Sequence, residues 1–277
     1  MTNKIPKVAA IQDLASFGRC SLSVVIPILS HMGVQVCPVP TAVFSTHTGG
    51  LGKPVFEDLT GIMHGYSEHW KSLALKFDCI YSGFLSNEMQ IDEVLNFFDT
   101  FGKEEETLIV VDPVMGDHGI LYKTYNEVMQ KKMKQLVERA HVITPNWTEA
   151  SFLLGKPYSI TPIAEAEVKQ MIKDLTALGP KKVVLKGIPY EGGQKINMTY
   201  DGEEDVYCII PYEEVPKNYP GTGDCFTSRL IGELLQGESL ERAARKATSF
   251  VTFGVKYTYE AGTDTREGIL LEKLLNF

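Results

Sequence analysis

The chain has no apolar stretch approaching the roughly 20 residues that a membrane helix needs. Its N-terminus, "MTNKIPKVAAIQD", has too short an apolar run for a signal peptide. Paired cysteines are missing as well. Five of them (Cys20, Cys37, Cys79, Cys208 and Cys225) are scattered over 277 residues without a CxxC. An odd, dispersed set argues against a disulfide framework or a zinc site and for a reducing compartment, so a cytoplasmic protein with no membrane partner is expected. There is no basic excess. The formal net charge is -8, which disfavours a nucleic-acid backbone as partner. Acidity does not exclude anionic substrates, because a few fixed N–H groups and cations outweigh the global field locally. Repeats, low-complexity linkers and long charge runs are also absent, and "KEEE" (Lys103–Glu106) is read as an exposed loop.

Two phosphate-binding fingerprints are lacking. "THTGGLGKP" (Thr46–Pro54) carries Gly52-Lys53, but a Walker A loop needs glycine where His47 stands and Ser or Thr where Pro54 stands. "FGRCSLS", after the first predicted strand, has no G-x-G-x-x-G. A nicotinamide-dependent dehydrogenase is thereby disfavoured.

What is present is alternation. "VAAI" (Val8–Ile11), "VQVCPV" (Val34–Val39), "CIYSGF" (Cys79–Phe84), "TLIVVDPV" (Thr107–Val114), "AHVITPN" (Ala140–Asn146) and "KKVVLKG" (Lys181–Gly187) read as strands. Most are continuous apolar runs, the pattern of parallel strands buried on both faces. Amphipathic stretches lie between them: "SLSVVIPILSHM", "NEMQIDEVLNFFDTF", "YNEVMQKKMKQLVERA" and "AEAEVKQMIKDLTAL". The prediction is an α/β fold of βαβ units with helices on both sheet faces, formed as a single domain over residues 1–277. "KINMTYDGEEDVYCIIPY" reads as a hairpin turning at Asp201-Gly202, and helices follow from about Gly223 to Gln236 and Leu240 to Tyr257. Ligands of such sheets sit beyond the strands' carboxyl ends, where Asp13, Asp112, Thr144 to Asn146 and Lys186 fall.

"NYPGTGDCFTSRL" (Asn218–Leu230) admits two readings. Thr222 or Asp224 caps a helix, or free N–H groups at that helix start cradle a phosphate that the glycines let approach. An aspartate beside a phosphate suits a phosphoryl-transfer base, and the helix N-terminus is expected to hold its pKa low. "VVDPVMGDHG" sets Asp112 and Asp117 on one loop, as turn formers or as oxygen ligands for Mg²⁺. In "TPNWTEA", Asn146 and Glu149 form a capping box, or Glu149 holds a metal-bound water.

Together these segments resemble the ribokinase-like superfamily, in its vitamin-kinase branch of pyridoxal and pyridoxamine kinases. The residues are "AIQD" (Ala10–Asp13), "VFSTHTGG" (Val43–Gly50), "YSGFLS" (Tyr81–Ser86), "VDPVMGD" (Val111–Asp117), "ITPNWTEA" (Ile143–Ala150), "VVLKG" (Val183–Gly187) and "PGTGDCFTS" (Pro220–Ser228). The resemblance implies a three-layer α/β/α fold with a mostly parallel central sheet. Gly33 to Val43 are too few for the β lid of the sugar-kinase relatives. It implies ATP-dependent phosphorylation of the 5′-hydroxymethyl group of a B6 vitamer, with a hydroxymethylpyrimidine kinase as the alternative. Asp224 falls at the base and Gly221, Thr222 and Gly223 at the anion hole. Asp112, Thr144, Asn146, Glu149, Lys186, Pro211, Tyr212 and Thr222 fall at or near nucleotide positions, and Asp112, Asp117 and Glu149 at or near Mg²⁺-linked ones. Ser45, His47, Thr48 and Phe84 fall by the vitamer ring. K⁺ is a further candidate cation and a homodimer the implied assembly. Two residues depart from the pattern: Asp13 stands where the family often has serine, and Phe84 where it often has tyrosine. An acidic Asp13 is expected to favour an amine-bearing substrate.

Overall fold

The structure, a computed structural model, describes residues 4–102 and 106–275. Lys103 to Glu105 of the "KEEE" cluster lie outside the described residues, and Glu106 is exposed. In chain order the strands are β1 (Lys7–Ala15), β2 (Gln35–Phe44), β3 (Phe56–Asp58), β4 (Cys79–Ser82), β5 (Leu108–Val111), β6 (Gly116–Asp117), β7 (Ile120–Leu121), β8 (Val142–Ile143), β9 (Lys182–Pro189), β10 (Lys195–Asp201) and β11 (Val206–Pro211). Nine form one sheet in the order β11-β10-β9-β8-β5-β4-β1-β2-β3, while β6 and β7 pair separately as a small hairpin. The six central strands, β9 to β2 in that order, run parallel, and the antiparallel pairs lie at the two ends. No lid sheet follows the first βα unit among the described residues; β3 merely extends the edge.

Continuous apolar strands supply two cores because alternate residues face opposite ways. Ala9 and Ile11 of β1 join a cluster with helices α2 (Thr60–Ser72), α3 (Glu88–Phe101), α4 (Glu127–Arg139), α5 (Trp147–Leu154) and α6 (Glu165–Thr176). Val8 and Ala10 join the opposite cluster with α1 (Leu22–His31), α7 (Thr222–Leu235) and α8 (Leu240–Ala261). The result is helix, sheet, helix in three layers. Cys225 belongs to a third cluster that α1 and α7 share with the short α9 (Leu271–Leu274), where it is fully buried. All five cysteines are free. Among the described residues no helix is long and apolar enough to cross a membrane.

Three local expectations differ from the structure. Asp201 does not turn the hairpin: it ends β10, where its carboxylate accepts hydrogen bonds from Lys182 Nζ (2.7 Å) and Glu203 N (3.1 Å), and residues 202–205 make the turn. The last long helix continues four residues past Tyr257 to Ala261 and stops at Gly262, a left-handed cap at φ 67°. Helix α2 escaped the sequence reading because it buries only Met63 and Ser67 and carries two glycines.

Candidate active site

The parallel strands end on one side of the sheet, and the N-terminus of α7 faces those ends. Gly221 makes this approach possible. It has φ 79°, and a Cβ there would lie 2.0 Å from the Arg19 carbonyl oxygen, so no other residue fits without displacing the chain. Neither expected cap of α7 is used. The Thr222 hydroxyl donates to the Tyr219 carbonyl (3.3 Å), Asp224 accepts from Ser21 N–H (2.8 Å), and the helix starts without a side-chain cap. Its first N–H groups therefore face a cleft of about 380 Å³ with Asp112, Lys186 and Tyr212 on the walls.

A polar web ties the cleft floor together. Lys186 Nζ, from β9, lies 3.2 Å from Asp112 Oδ1 at the end of β5. Asp112 Oδ2 accepts from Thr227 Oγ1 (3.1 Å), and the Thr227 hydroxyl also meets the Thr144 hydroxyl at 3.0 Å. Lys186 Nζ stands 5.7 Å from the centroid of the Phe226 ring. Asn146 and Glu149 form the full capping box of α5: Glu149 N–H donates to Asn146 Oδ1 (2.9 Å) and Asn146 N–H to Glu149 Oε2 (2.7 Å). The same pair reaches into the Asp112–Asp117 loop, through Met115 N–H to Glu149 Oε1 (3.3 Å) and Asn146 Nδ2 to the Gly116 carbonyl (2.9 Å). Burial, and then the Asp112 charge, push the Glu149 carboxyl well above the usual carboxylate range.

Asp224 sits beside this web. Its carboxyl is pushed up to about 7, by burial first and by the charges of Asp13 and Asp112, against the Ser21 N–H and Lys186. The expected lowering by the helix N-terminus is thus reversed, because desolvation and like charges outweigh a partial dipole charge. Asp13 lies within β1 and is buried; burial raises its carboxyl to about 6 against the Ser21 hydroxyl. Ser21 holds the unusual angles φ 53°, ψ -140°, which turn its N–H toward Asp224.

Other predicted residues stand outside this polar web. Asp117 lines the cleft but is exposed there, and it accepts from His118 N–H (2.8 Å) instead of joining Asp112. Pro211 is exposed at the end of β11, whereas Tyr212 lines the cleft. Ser45 and Thr48 are exposed on the loop after β2. Half-buried Phe84 packs edge-on to Phe44. His47 is buried and both its ring nitrogens are engaged: Nδ1 accepts from Gly49 N–H (2.9 Å), which leaves Nε2–H to donate to the Arg266 carbonyl (2.5 Å). Ser21, Thr227 and Arg266 are not among the residues expected from the sequence, yet each bonds to one that is. Thr227 could have been found, three residues beyond Asp224 and so on the same helix face; Arg266, and Ser21 toward Asp224, act through backbone atoms, which no side-chain pattern reveals.

Among the described residues no three His, Cys, Asp or Glu side chains gather as a metal cage. The donor set nevertheless suits Mg²⁺, which takes one or two carboxylates and completes its shell with waters and phosphates. Asp112 and Glu149 are buried close enough for one to raise the other, a repulsion that a divalent cation would relieve.

The family model described as phosphomethylpyrimidine kinase matches residues 30–268. A pyridoxal kinase, PdxY, of Actinobacillus pleuropneumoniae is 29% identical over 83% of this chain and 82% of its own. A hydroxymethylpyrimidine/phosphomethylpyrimidine kinase of Bacillus subtilis is 28% identical over 68% of this chain and 67% of its own. A crystal structure from Bacteroides thetaiotaomicron, of a protein named provisionally as a phosphomethylpyrimidine kinase and crystallised with pyridoxal, superposes with a TM-score of 0.94. It is 42% identical, over 99% of this chain and 95% of that one. This chain belongs to the phosphomethylpyrimidine kinase family, within the ribokinase-like superfamily.

Proposed function

We propose that this kinase-family chain transfers the γ-phosphoryl group of ATP to the 5′-hydroxymethyl group of a B6 vitamer. One observation carries the reading: the uncapped N-terminus of α7 bears Asp224 into the same cleft that Lys186 enters from β9. In this role the N–H groups of Gly221, Thr222 and Gly223 hold the transferring phosphate, and Lys186 adds positive charge. Asp224 takes the hydroxyl proton, a task for which a carboxyl near 7 is better matched than an ordinary one. Phosphoryl transfer asks mainly for positioning and charge stabilisation. Ser21 fixes the base and Thr227 orients Asp112. Tyr212 and Asn146 flank the nucleotide. Asp112 and Glu149 would hold Mg²⁺, directly or through water, and the ion supplies charge neutralisation for the β and γ phosphates. The loop of Ser45, His47 and Thr48, with Phe84 and Asp13, takes the vitamer ring. His47 serves it by pinning the loop to the Arg266 carbonyl.

A second reading has its own support in the family model and the Bacillus subtilis relative, a hydroxymethylpyrimidine/phosphomethylpyrimidine kinase. The deciding measurement is ADP release with Mg²⁺–ATP and, in turn, pyridoxal, pyridoxamine, pyridoxine and hydroxymethylpyrimidine. The proposal expects the highest kcat/KM with a B6 vitamer. Turnover of hydroxymethylpyrimidine alone would transfer the assignment to the second reading, and no turnover with any of the four would end both.

A further inference from the structure

Asp13 is a buried carboxylate whose charge acts on Asp224 but which takes no part in the proton or phosphoryl transfer itself. Its side chain is 5% exposed, and its Oδ1 has no hydrogen-bond partner. The next residue back, Gln12, is fully buried, with neither amide atom partnered. Gln12 fits only because position 83 is glycine: a Cβ there would lie 2.2 Å from Gln12 Oε1. Polar atoms left buried and unpaired destabilise the folded chain. Buried polar atoms that no protein group satisfies point to a ligand that completes them.

Asp13 and Asp224 also share a neighbour. The backbone N–H of Ser21 is held by Asp224, and the Ser21 hydroxyl hydrogen-bonds toward Asp13. A substrate that offers its reacting hydroxyl to Asp224 therefore brings an adjoining part of its ring toward Asp13. The group beside a 5′-hydroxymethyl is the substituent on the neighbouring ring carbon. In pyridoxamine this is an aminomethyl group, and in hydroxymethylpyrimidine an amino group; both donate N–H. In pyridoxal it is an aldehyde, whose oxygen only accepts and so opposes a carboxylate. In pyridoxine it is a hydroxyl, a neutral donor.

We infer that Asp13 is a specificity-determining residue, selecting acceptor alcohols that carry an N–H donor on the ring carbon next to the one bearing the reacting hydroxymethyl group. The inference rests on the phosphoryl-transfer reading and narrows it. Charged hydrogen bonds contribute about 1.5–3 kcal/mol, so the native protein is expected to favour pyridoxamine over pyridoxal by roughly ten- to a hundredfold in kcat/KM. The preference should reside mainly in KM, since the contact is remote from the transferred phosphoryl group.

The test compares kcat and KM for pyridoxamine, pyridoxal, pyridoxine and hydroxymethylpyrimidine in the native protein and in Asp13→Ser and Asp13→Asn, at about pH 8, where a carboxyl of this kind is ionised. Asp13→Ser is expected to bring the pyridoxamine-to-pyridoxal ratio close to one. Asp13→Asn, nearly isosteric, keeps an acceptor without charge; it should lower the ratio severalfold, and it carries the test should the serine variant fail to fold by thermal melting. A native protein that turns over pyridoxal as well as pyridoxamine overturns the inference while leaving the kinase reading intact. So does a ratio unchanged in a folded variant. Absence of turnover with all four alcohols overturns the kinase reading itself.

Discussion

At the scale of single residues, the chemistry converges on Asp224. Asp224→Asn removes the proposed proton acceptor and keeps the shape, so kcat is expected to fall about 10²–10⁴-fold while ATP affinity, read by calorimetry, holds. Turnover within a few-fold of native would remove Asp224 from the base role. On the proposed base role, a carboxyl pushed up to about 7 must lose its proton to work, so kcat/KM should climb with pH to about 7 and then level. Stability carries the opposite sign. Because the folded value lies above the ordinary 3.8, the folded state binds the proton more tightly. Its contribution is therefore largest at acid pH and is lost as pH rises through about 7. Asp224→Asn should accordingly melt several degrees higher than native at about pH 8, a gain that disappears near pH 4, as differential scanning calorimetry at the two pH values would show.

At the scale of elements, the start of α7 separates two glycines that look alike in the sequence. Gly221 has φ 79° and the Arg19 carbonyl against it, so Gly221→Ala is expected to lower Tm clearly, because the helix start has to shift. Gly223 is different: its Cβ would meet only Lys186 Nζ at 3.7 Å and Asp112 Oδ2 at 3.8 Å, ordinary contacts, and alanine suits a helix. Gly223→Ala should keep or raise Tm yet weaken ATP binding, since the methyl group occupies space where a phosphate must approach. Equal losses of stability in the two variants would count against this account. The capping box of α5 works similarly at one remove, since Asn146 and Glu149 hold the Asp112–Asp117 loop as well as their own helix.

Across the whole molecule, the site depends on contacts between segments far apart in the chain. Asp112 and Lys186 are 74 positions apart and meet because β8 lies between β5 and β9 in the sheet. Both are largely buried, with side chains 3% and 13% exposed, so Lys186→Met leaves a buried charge short of its partner. A loss of about 3 kcal/mol is expected in denaturant unfolding, with much of it recovered in the Asp112→Asn, Lys186→Met double variant. Strictly additive losses would show that the pair is not coupled. The far end of the chain is tied back to the segments after β1 and β2, where the Arg266 carbonyl holds His47 and the Glu267 carbonyl accepts from Arg19 N–H at 3.0 Å.

The amino-acid pattern by itself determined the layered α/β architecture and the edge on which the site lies. Buried parallel strands have to be apolar on both faces, and the polar residues at their ends, Asp112, Thr144 and Lys186, stand out against such runs. It also marked the turn at Gly221 and the capping box of Asn146 and Glu149, because turns and caps are written in neighbouring residues. Only the tertiary structure decided that the capping box is made while the α7 cap is not. It alone gave Asp224 a raised pKa, through burial and the charges of Asp13 and Asp112, which arrive from other strands. It turned His47 inward to the Arg266 carbonyl, and it set Asp13 where its charge acts on Asp224, with an oxygen left unpaired. Local conformation follows from adjacent side chains, whereas desolvation, field and hydrogen bonding at a site come from neighbours that the fold alone assembles.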